Sequence, residues 1–255
     1  MRSAIATLKM TAFAVLTLVI IPLQSISLAI SKGKSAYIFP WIWHNCVCMI
    51  FRIKVIQKGL PDTKSQTVYM SNHLSYLDIP VMASALRASF VAKKDVAGWP
   101  VFGFLSKLQQ TAFISRDRAD AKQGKDTLDS MLSDRKSLII FPEGTSTDGR
   151  EVRPFKSSLF SIVFKEDLKN IMVQPVTIKM ENVDKKEVST QEIRDLYAWH
   201  IDMDTPLEQH LWLFAKGTGA TISLTFHQPI KAHEQENRKT LAKLCHERVS
   251  NGLAE

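Results

Sequence analysis

The chain has 255 residues and a mass of 28.8 kDa, a length typical of one large domain with an appendage. Its formal net charge of +8 predicts an anionic partner, but Lys and Arg are spread along the chain and no basic arm interleaves aromatic residues, so nucleic acid ranks last. The three cysteines, an odd number without a framework, speak against a disulfide-stapled secreted fold.

The N-terminus carries the longest apolar run. Residues 10–31 contain no charged side chain, and a bilayer span needs about 20 residues. A cleaved signal peptide is the alternative, although this run is longer than a usual signal core and no clear small-x-small cleavage site closes it. Residues 37–51 are aromatic-rich and short for a span, which is typical of an interfacial or re-entrant helix. We predict a membrane-anchoring helical segment at 1–51 and a globular domain at 52–255.

The compact cysteine pair in the second apolar stretch invites a comparison with metal sites. His44, Cys46 and Cys48 alternate with other residues, but the spacing lacks the paired second half of a zinc site. Buried apolar packing is the better interpretation, so we expect no metal.

From residue 52 onward, apolar runs alternate with amphipathic stretches. This alternation predicts an α/β fold with a mostly parallel central sheet flanked by helices. Pro175 lies within the predicted strand at 173–178 and favours an edge or a bulge there. The other predicted strands are 53–57, 68–70, 89–92, 111–114, 138–141 and 221–226; the predicted helices begin near 79 and span 100–108, 119–134 and 234–250.

The stretch 71–80 joins a predicted buried strand to a predicted helix. It places His73 and Asp78 on one turn, where Asp78 can accept a hydrogen bond from one imidazole nitrogen and leave the other as the base. Ser75-x-x-Asp78 also fits a capping box, and Asp78 alone is a good N-cap residue. The spacing alone leaves the catalytic and the structural interpretation open.

Unusual polar groups follow two further strands. Arg116 comes after the strand at 111–114, and Glu143-Gly144-Thr145 comes after the strand at 138–141. Ligands of open α/β sheets bind beyond the carboxyl ends of the strands, so these groups are expected to converge with His73. Taken singly, Arg116 is also explained as a solvated surface residue and Glu143 as a side chain facing water.

Four blocks in this order carry a family resemblance: Asn72-His73-(four residues)-Asp78, Phe113-Ile114-Ser115-Arg116, Phe141-Pro142-Glu143-Gly144-Thr145 and Val173-Gln174-Pro175-Val176. They resemble the sequence blocks of the glycerolipid acyltransferases, most like the bacterial 1-acyl-glycerol-3-phosphate acyltransferases, and the similarity runs from about residue 52 to about residue 230. The segments 153–156 and 197–204 also resemble the family. Many relatives carry a basic residue after Glu-Gly-Thr, where this chain has Ser146-Thr147, and acyltransferases for other lysolipids share the pattern.

The resemblance implies a direct acyl transfer. His73 would be the general base that deprotonates the free hydroxyl of a lysolipid, and Asp78 would orient the imidazole and stabilise its protonated form. The hydroxyl would attack the thioester of acyl-CoA or acyl carrier protein, which is a co-substrate, and no cofactor is expected. No Gly-x-Ser-x-Gly nucleophile motif occurs in the sequence.

Further roles are implied for the other matching residues. Arg116 would bind a phosphate, Glu143 would accept hydrogen bonds from glycerol hydroxyls, and Thr145 would assist as a donor. The backbone N–H of Gly144 and the side chain of Lys94 would stabilise the tetrahedral oxyanion.

The function that the resemblance implies is the acylation of 1-acyl-glycerol-3-phosphate to phosphatidic acid for phospholipid synthesis. The alternatives are another acceptor such as lyso-ornithine lipid, a thioesterase or lipid hydrolase, and a non-catalytic membrane-binding module. We expect the protein at the cytoplasmic (inner) membrane with its site facing the cytoplasm, since the donor is soluble and the acceptor lies in the bilayer. The expected partners are membrane lipid and the thioester donor, with no nucleic acid.

Overall fold

The computed structural model of the protein describes residues 1–31, 33–115, 118–165 and 168–254. It contains a nine-stranded sheet and flanking helices. The strands are β1 Ile53–Lys58, β2 Thr67–Ser71, β3 Ser89–Lys93, β4 Ala112–Ile114, β5 Leu138–Ile140, β6 Met172–Val183, β7 Lys186–Glu187, β8 Ala220–Phe226 and β9 Ile230–Lys231. The helices are α1 Arg2–Ile30, α2 Ile38–Phe51, α3 Asp78–Ala85, α4 Phe102–Leu108, α5 Arg118–Ser133, α6 Gln191–Arg194, α7 Leu207–Lys216 and α8 Arg238–Ala254.

The sheet has the order β1-β8-β6-β2-β5-β3-β4, with β7 and β9 paired to β6. Neighbours from β6 to β4 in this order run parallel, β1 is parallel to β8, and β8 is antiparallel to β6. The predicted α/β class with a mostly parallel sheet is confirmed. The carboxyl ends of β2, β5, β3 and β4 therefore meet at one edge of the sheet.

Two apolar cores lie on opposite faces of the sheet, because side chains alternate along a strand. Tyr69 of β2 belongs to the core beneath α2, α3 and α7, whereas Val68 and Met70 belong to the core that includes side chains of α5 and α8. All five residues of β2 are buried, as expected for a strand with a neighbour on both sides and helices over both faces.

Helix α1 exposes a broad apolar face and buries several polar side chains. It is the one helix of the described residues long and apolar enough to cross a membrane by length and composition. Its buried residues are small or polar: Ala6, Lys9, Thr17, Gln24 and Ser27. Seven of its large apolar side chains are exposed: Leu8, Val15, Leu18, Val19, Leu23, Ile26 and Ile30. Met10, Phe13 and Leu16 are partly buried and pack against the core. A helix of a water-soluble domain shows the opposite arrangement, so this face is suited to lipid.

Helix α2 is part of the globular core as well as of the N-terminal segment. Val47, Cys48 and Phe51 are buried in the core that contains Tyr69, and Arg52 ends the helix in a left-handed conformation with φ of 57°. Deletion of residues 1–51 would therefore remove core side chains, whereas deletion of residues 1–32 would remove α1 and keep α2.

Pro175 does not mark an edge or a bulge, so that prediction was wrong. Strand β6 lies between β8 and β2, and Pro175 stands opposite Met70. Its carbonyl oxygen accepts a hydrogen bond from His227 N at 3.0 Å. Along β6, β9 is the partner up to Val173 and β8 is the partner from Val176 onward, so the nitrogen of Pro175 faces the junction between these two partners. A missing N–H at this junction breaks no ladder bond. The predicted helix at 234–250 begins later, at Arg238.

Candidate active site

The turn after β2 wraps around the carboxylate of Asp78, the first residue of α3. One oxygen, Oδ2, accepts hydrogen bonds from Leu74 N at 2.6 Å, Ser75 N at 2.9 Å and His73 Nδ1 at 2.8 Å. The bond from Ser75 N is the one that the acid of a capping box accepts, and Leu77 N donates in turn to Ser75 Oγ at 3.3 Å. The capping-box interpretation and the predicted His73–Asp78 contact are therefore both confirmed, whereas Asp78 is not itself the N-cap residue, a position that Leu77 holds.

His73 is held as a base on an open turn. Because Nδ1 donates its hydrogen to Asp78, Nε2 is the basic nitrogen. The ring stacks on Phe141, with ring centroids 4.1 Å apart and planes 13° apart, and 21% of the side chain is exposed. Asp78 thus holds one edge of the imidazole and Phe141 supports one face, while a substrate hydroxyl can still approach the ring.

Tyr197 completes the shell around Asp78. Its hydroxyl donates to Asp78 Oδ1 at 3.0 Å, and both residues are fully buried. Burial and the neighbouring carboxylate raise the pKa of Tyr197 well above its usual value, so it remains a donor. Four donors thereby offset the cost of burying the Asp78 charge. Sequence reasoning gave Tyr197 no role, although it lies in the segment 197–204 that resembles the family.

Glu143 joins the loop that contains Arg153 to the turn 72–77, which we call the catalytic turn after its predicted role. Its carboxylate oxygens accept hydrogen bonds from His73 N at 2.7 Å and Arg153 N at 2.8 Å, and the residue is 3% exposed. Burial raises its pKa to about 7, against the opposing effect of the two N–H donors. This geometry makes Glu143 a positioning residue for His73. The role expected for it, binding glycerol hydroxyls, stays a prediction.

The backbone N–H of Gly144 donates to Phe141 O at 3.0 Å within the turn. Its expected role at the oxyanion stays a prediction. Gly144 has φ of +71°, a conformation that strains other residues, so the turn requires glycine here. Nζ of Lys156, a cation to which sequence reasoning gave no role, lies against the open side of this glycine. Thr145 is half-buried in the same turn.

Lys94, one of the predicted substrate-binding residues, lies at the far side of this edge. Lys94 is exposed and begins a 3₁₀ turn, Lys94–Gly98, directly after β3. Arg116 lies outside the described residues; β4, which precedes it, is three strand spacings from β2, about 14 Å. Lys94 thus reaches the edge that carries His73, and the binding roles of both residues stay predictions.

An apolar cavity of about 110 Å³ opens beside the catalytic turn. Ile79 and Phe90 line it together with side chains of α1, α2 and α4, and Phe90 stacks on Phe141 with centroids 6.4 Å apart. Among the described residues, no group of three His, Cys, Asp or Glu side chains is arranged to hold a metal ion. A basic imidazole, fixed by a buried carboxylate next to an apolar cavity, defines a general-base site for the hydroxyl of an apolar substrate.

Comparisons with known proteins agree with this class of site. The model of the acyltransferase family matches residues 52–179. The lyso-ornithine lipid O-acyltransferase of Rhodobacter capsulatus is 32% identical over 86% of this chain and 76% of its own, and that of Rhizobium meliloti is 29% identical over 94% and 82%. The 1-acyl-sn-glycerol-3-phosphate acyltransferase of Neisseria gonorrhoeae is 27% identical over 78% and 74%.

A solved structure has the same fold. The 1-acyl-sn-glycerophosphate acyltransferase PlsC of Thermotoga maritima superposes with a TM-score of 0.69 over 100% of this chain and 97% of its own, at 19% identity. The chain belongs to the acyltransferase family and is an O-acyltransferase, which confirms the resemblance carried by the four sequence blocks.

Proposed function

We propose that the protein transfers an acyl chain from a thioester donor, acyl-CoA or acyl carrier protein, to the free hydroxyl of a lysolipid. The observation that carries this proposal is the 2.8 Å contact between His73 Nδ1 and Asp78 Oδ2, which leaves Nε2 as a base on a partly exposed turn. The apolar cavity next to Phe90 and Ile79 supports an apolar substrate.

The proposed reaction is a direct transfer. His73 Nε2 takes the proton of the acceptor hydroxyl while that oxygen attacks the thioester carbonyl. Asp78 stabilises the imidazolium, and a lysine, Lys94 or Lys156, stabilises the tetrahedral oxyanion. Collapse of this intermediate breaks the carbon–sulfur bond, and the leaving thiolate takes the proton from His73. No cofactor enters this sequence.

Lyso-ornithine lipid is the acceptor that we favour. The relatives named for that lipid in Rhodobacter and Rhizobium have higher identity and cover more of the chain than the glycerophosphate-named relative from Neisseria. This chain has Ser146-Thr147 where many relatives carry a basic residue after Glu-Gly-Thr.

The second candidate acceptor is 1-acyl-glycerol-3-phosphate, with phosphatidic acid as the product. The Neisseria relatives and the superposable Thermotoga protein carry that name. Arg116, in the second resembling block, is the residue that would bind its phosphate.

We propose the cytoplasmic membrane as the location, with the site facing the cytoplasm. The outward apolar face of α1 and the aromatic-rich α2 would hold the catalytic domain, 52–255, at the bilayer surface. There the site meets a lipid acceptor from one side and a soluble donor from the other.

An acceptor panel tests the proposal. Purified full-length protein is given radiolabelled acyl-CoA or acyl carrier protein and vesicles that contain either lyso-ornithine lipid or 1-acyl-glycerol-3-phosphate. We expect a labelled diacyl lipid, formed faster from lyso-ornithine lipid. Faster formation of phosphatidic acid would establish the second acceptor, and no diacyl lipid from any lysolipid would contradict the proposed function.

A further inference from the structure

A second, polar cavity of about 530 Å³ adjoins the catalytic turn. We call it the acidic cavity; it is lined by residues of the segments 147–153, 191–195 and 200–205. The catalytic turn contacts the first of these segments, where Thr147 N donates to His73 O at 2.9 Å, and Trp199, next to the third segment, donates its backbone N–H to Leu74 O at 3.0 Å. The cavity is therefore a close neighbour of the turn that carries His73.

The charge of the cavity is opposite to that of the protein. Its described lining carries five carboxylates against the single guanidinium of Arg153, in a chain of net charge +8. Arg153 Nη2 contacts Asp202 Oδ2 at 3.4 Å and the neighbouring Arg150 Nε contacts Asp148 Oδ2 at 3.3 Å, and three carboxylates remain in excess of these two cations. The five carboxylates belong to Asp148, Glu151, Asp195, Asp202 and Asp204. Such a cavity repels a phosphate and attracts a cation.

His200 gives an independent sign that a ligand fits here. Its side chain is 9% exposed and lines the cavity, and Nε2 lies 3.4 Å from Asp195 Oδ1. Among the described residues, Nδ1 is buried and has no hydrogen-bond partner. If Nε2–H donates to Asp195, Nδ1 is an acceptor, and the Asp202 carboxylate lies 3.7 Å from it. A buried acceptor beside a carboxylate is the arrangement that an N–H-bearing cation satisfies.

We infer that the acidic cavity binds the ammonium group in the head group of the lipid acceptor. His200 Nδ1 and Asp202 accept its hydrogens, and Arg153 meets the anionic group that accompanies it. This inference rests on the proposed function. Two lysolipid classes share the required chemistry: ornithine carries a primary amine with a carboxylate, and ethanolamine head groups carry one with a phosphate. A metal ion is the poorer occupant, because no metal-holding group of three was found among the described residues.

Lipid acceptors with and without a positively charged ammonium group test the inference. Each of lyso-ornithine lipid and lysophosphatidylethanolamine is compared with its own N-acetylated form, in which the amine no longer carries a proton. The apparent KM of the full-length protein should be lower for whichever amine-bearing acceptor it uses, and acetylation should remove most of that advantage. Lysophosphatidate is included as an acceptor without an ammonium group.

Variants connect this preference to the cavity. Asp202→Asn with Asp204→Asn should raise the apparent KM for the amine-bearing acceptor about 10-fold, since a partly exposed ion pair is worth up to about 5-fold for each carboxylate. The KM for the acetylated form and the kcat should change less than about 2-fold. The matched control is Asp134→Asn, an exposed carboxylate just before β5, at the opposite edge of the sheet.

The outcomes separate the inference from the proposed function. Equal KM values for amine and N-acetyl acceptors, an equal effect of the double variant on both, or transfer to lysophosphatidate alone would overturn the inference and leave the acyltransferase proposal standing. Absence of transfer to every lysolipid would overturn both.

Discussion

Two regions of the molecule bury polar side chains, and they do so in different ways. The catalytic turn surrounds the charge of Asp78 with donors, three of which come from residues 73–75. The inner face of α1 instead reaches neutral carbonyl groups of other elements. Lys9 Nζ donates to Gly217 O at 2.9 Å, and Gln24 Nε2 donates to Ala36 O at 3.1 Å and Leu108 O at 2.9 Å.

The two regions differ in role: the turn around Asp78 serves the proposed chemistry, and the inner face of α1 serves the attachment of that helix. A buried carboxylate that orients a histidine serves proton transfer, and its neighbours can be changed only at the cost of catalysis. The polar groups of α1 help to connect a helix with an apolar outer face to the globular body, where their hydrogen bonds act beside the apolar packing of Met10, Phe13 and Leu16. Substitutions in the first region should therefore alter turnover, and those in the second should alter stability or membrane binding.

Replacement of the base should have the largest effect. His73→Ala is expected to lower kcat by about 10²–10⁴-fold, since general-base catalysis is worth that much. The His73 side chain is 21% exposed, and Asp78 keeps three of its four donors without it, so the circular dichroism spectrum should stay that of the wild type and the thermal midpoint should fall only slightly. Near wild-type turnover in the purified variant would show that His73 is not the base.

Asp78→Asn should come next, with a loss of about 10²–10³-fold in kcat, because an amide can present the wrong hydrogen-bonding group to His73 Nδ1. Tyr197, the buried residue that donates to Asp78 Oδ1, provides a matched control. Tyr197→Phe keeps the carboxylate and removes only one of its four donors, so its loss of kcat should be much smaller. Equal losses in both variants would indicate a packing defect rather than a wrong tautomer.

Glu143 predicts how stability depends on pH. The pKa is raised to about 7 in the folded protein from 4.5, so the folded state holds this proton where the unfolded state has lost it. The free energy of unfolding should consequently fall as the pH rises from about 4.5 to about 7, by on the order of 3 kcal/mol, and then level off. Urea denaturation of Glu143→Gln between pH 5 and 8 should lack this fall.

Glu187→Gln, at an exposed acid of β7, is the control for that titration and should retain the wild-type slope. The same slope in Glu143→Gln would assign the pH dependence to other groups.

The two faces of α1 should respond differently. Leu18→Asp changes an exposed side chain and should weaken membrane pelleting, since Asp at a helix centre costs about 2.5–3.5 kcal/mol of insertion. Gln24→Ala leaves two carbonyls without their donor and should cost about 1–3 kcal/mol of stability, with pelleting unchanged. Vesicle sedimentation and thermal melting of both variants would measure this contrast, and firm pelleting of Leu18→Asp in high salt would place the anchor elsewhere.

The parts that follow from the sequence are those that depend on local spacing. His73 and Asp78 lie five residues apart on one turn, so their contact is predictable without the fold. Tyr197 contacts Asp78 across 119 residues of sequence. The acceptor that the Gly144 N–H finds, Phe141 O, depends on the backbone conformation of 141–144. Pro175 fits into a central strand because it lies at the point where β8 replaces β9 as the partner of β6. Spacing alone specifies none of these three.

The most direct measurement of direct transfer omits the acceptor. Purified protein is incubated with labelled acyl-CoA or acyl carrier protein, first alone and then with vesicles that contain the preferred lysolipid, and protein, free acid and lipid are separated. A base acting on the acceptor hydroxyl predicts no labelled protein, little labelled free acid, and labelled diacyl lipid only after the lysolipid is added. Labelled protein would contradict direct transfer, and rapid release of free acid in both incubations would identify a thioesterase instead.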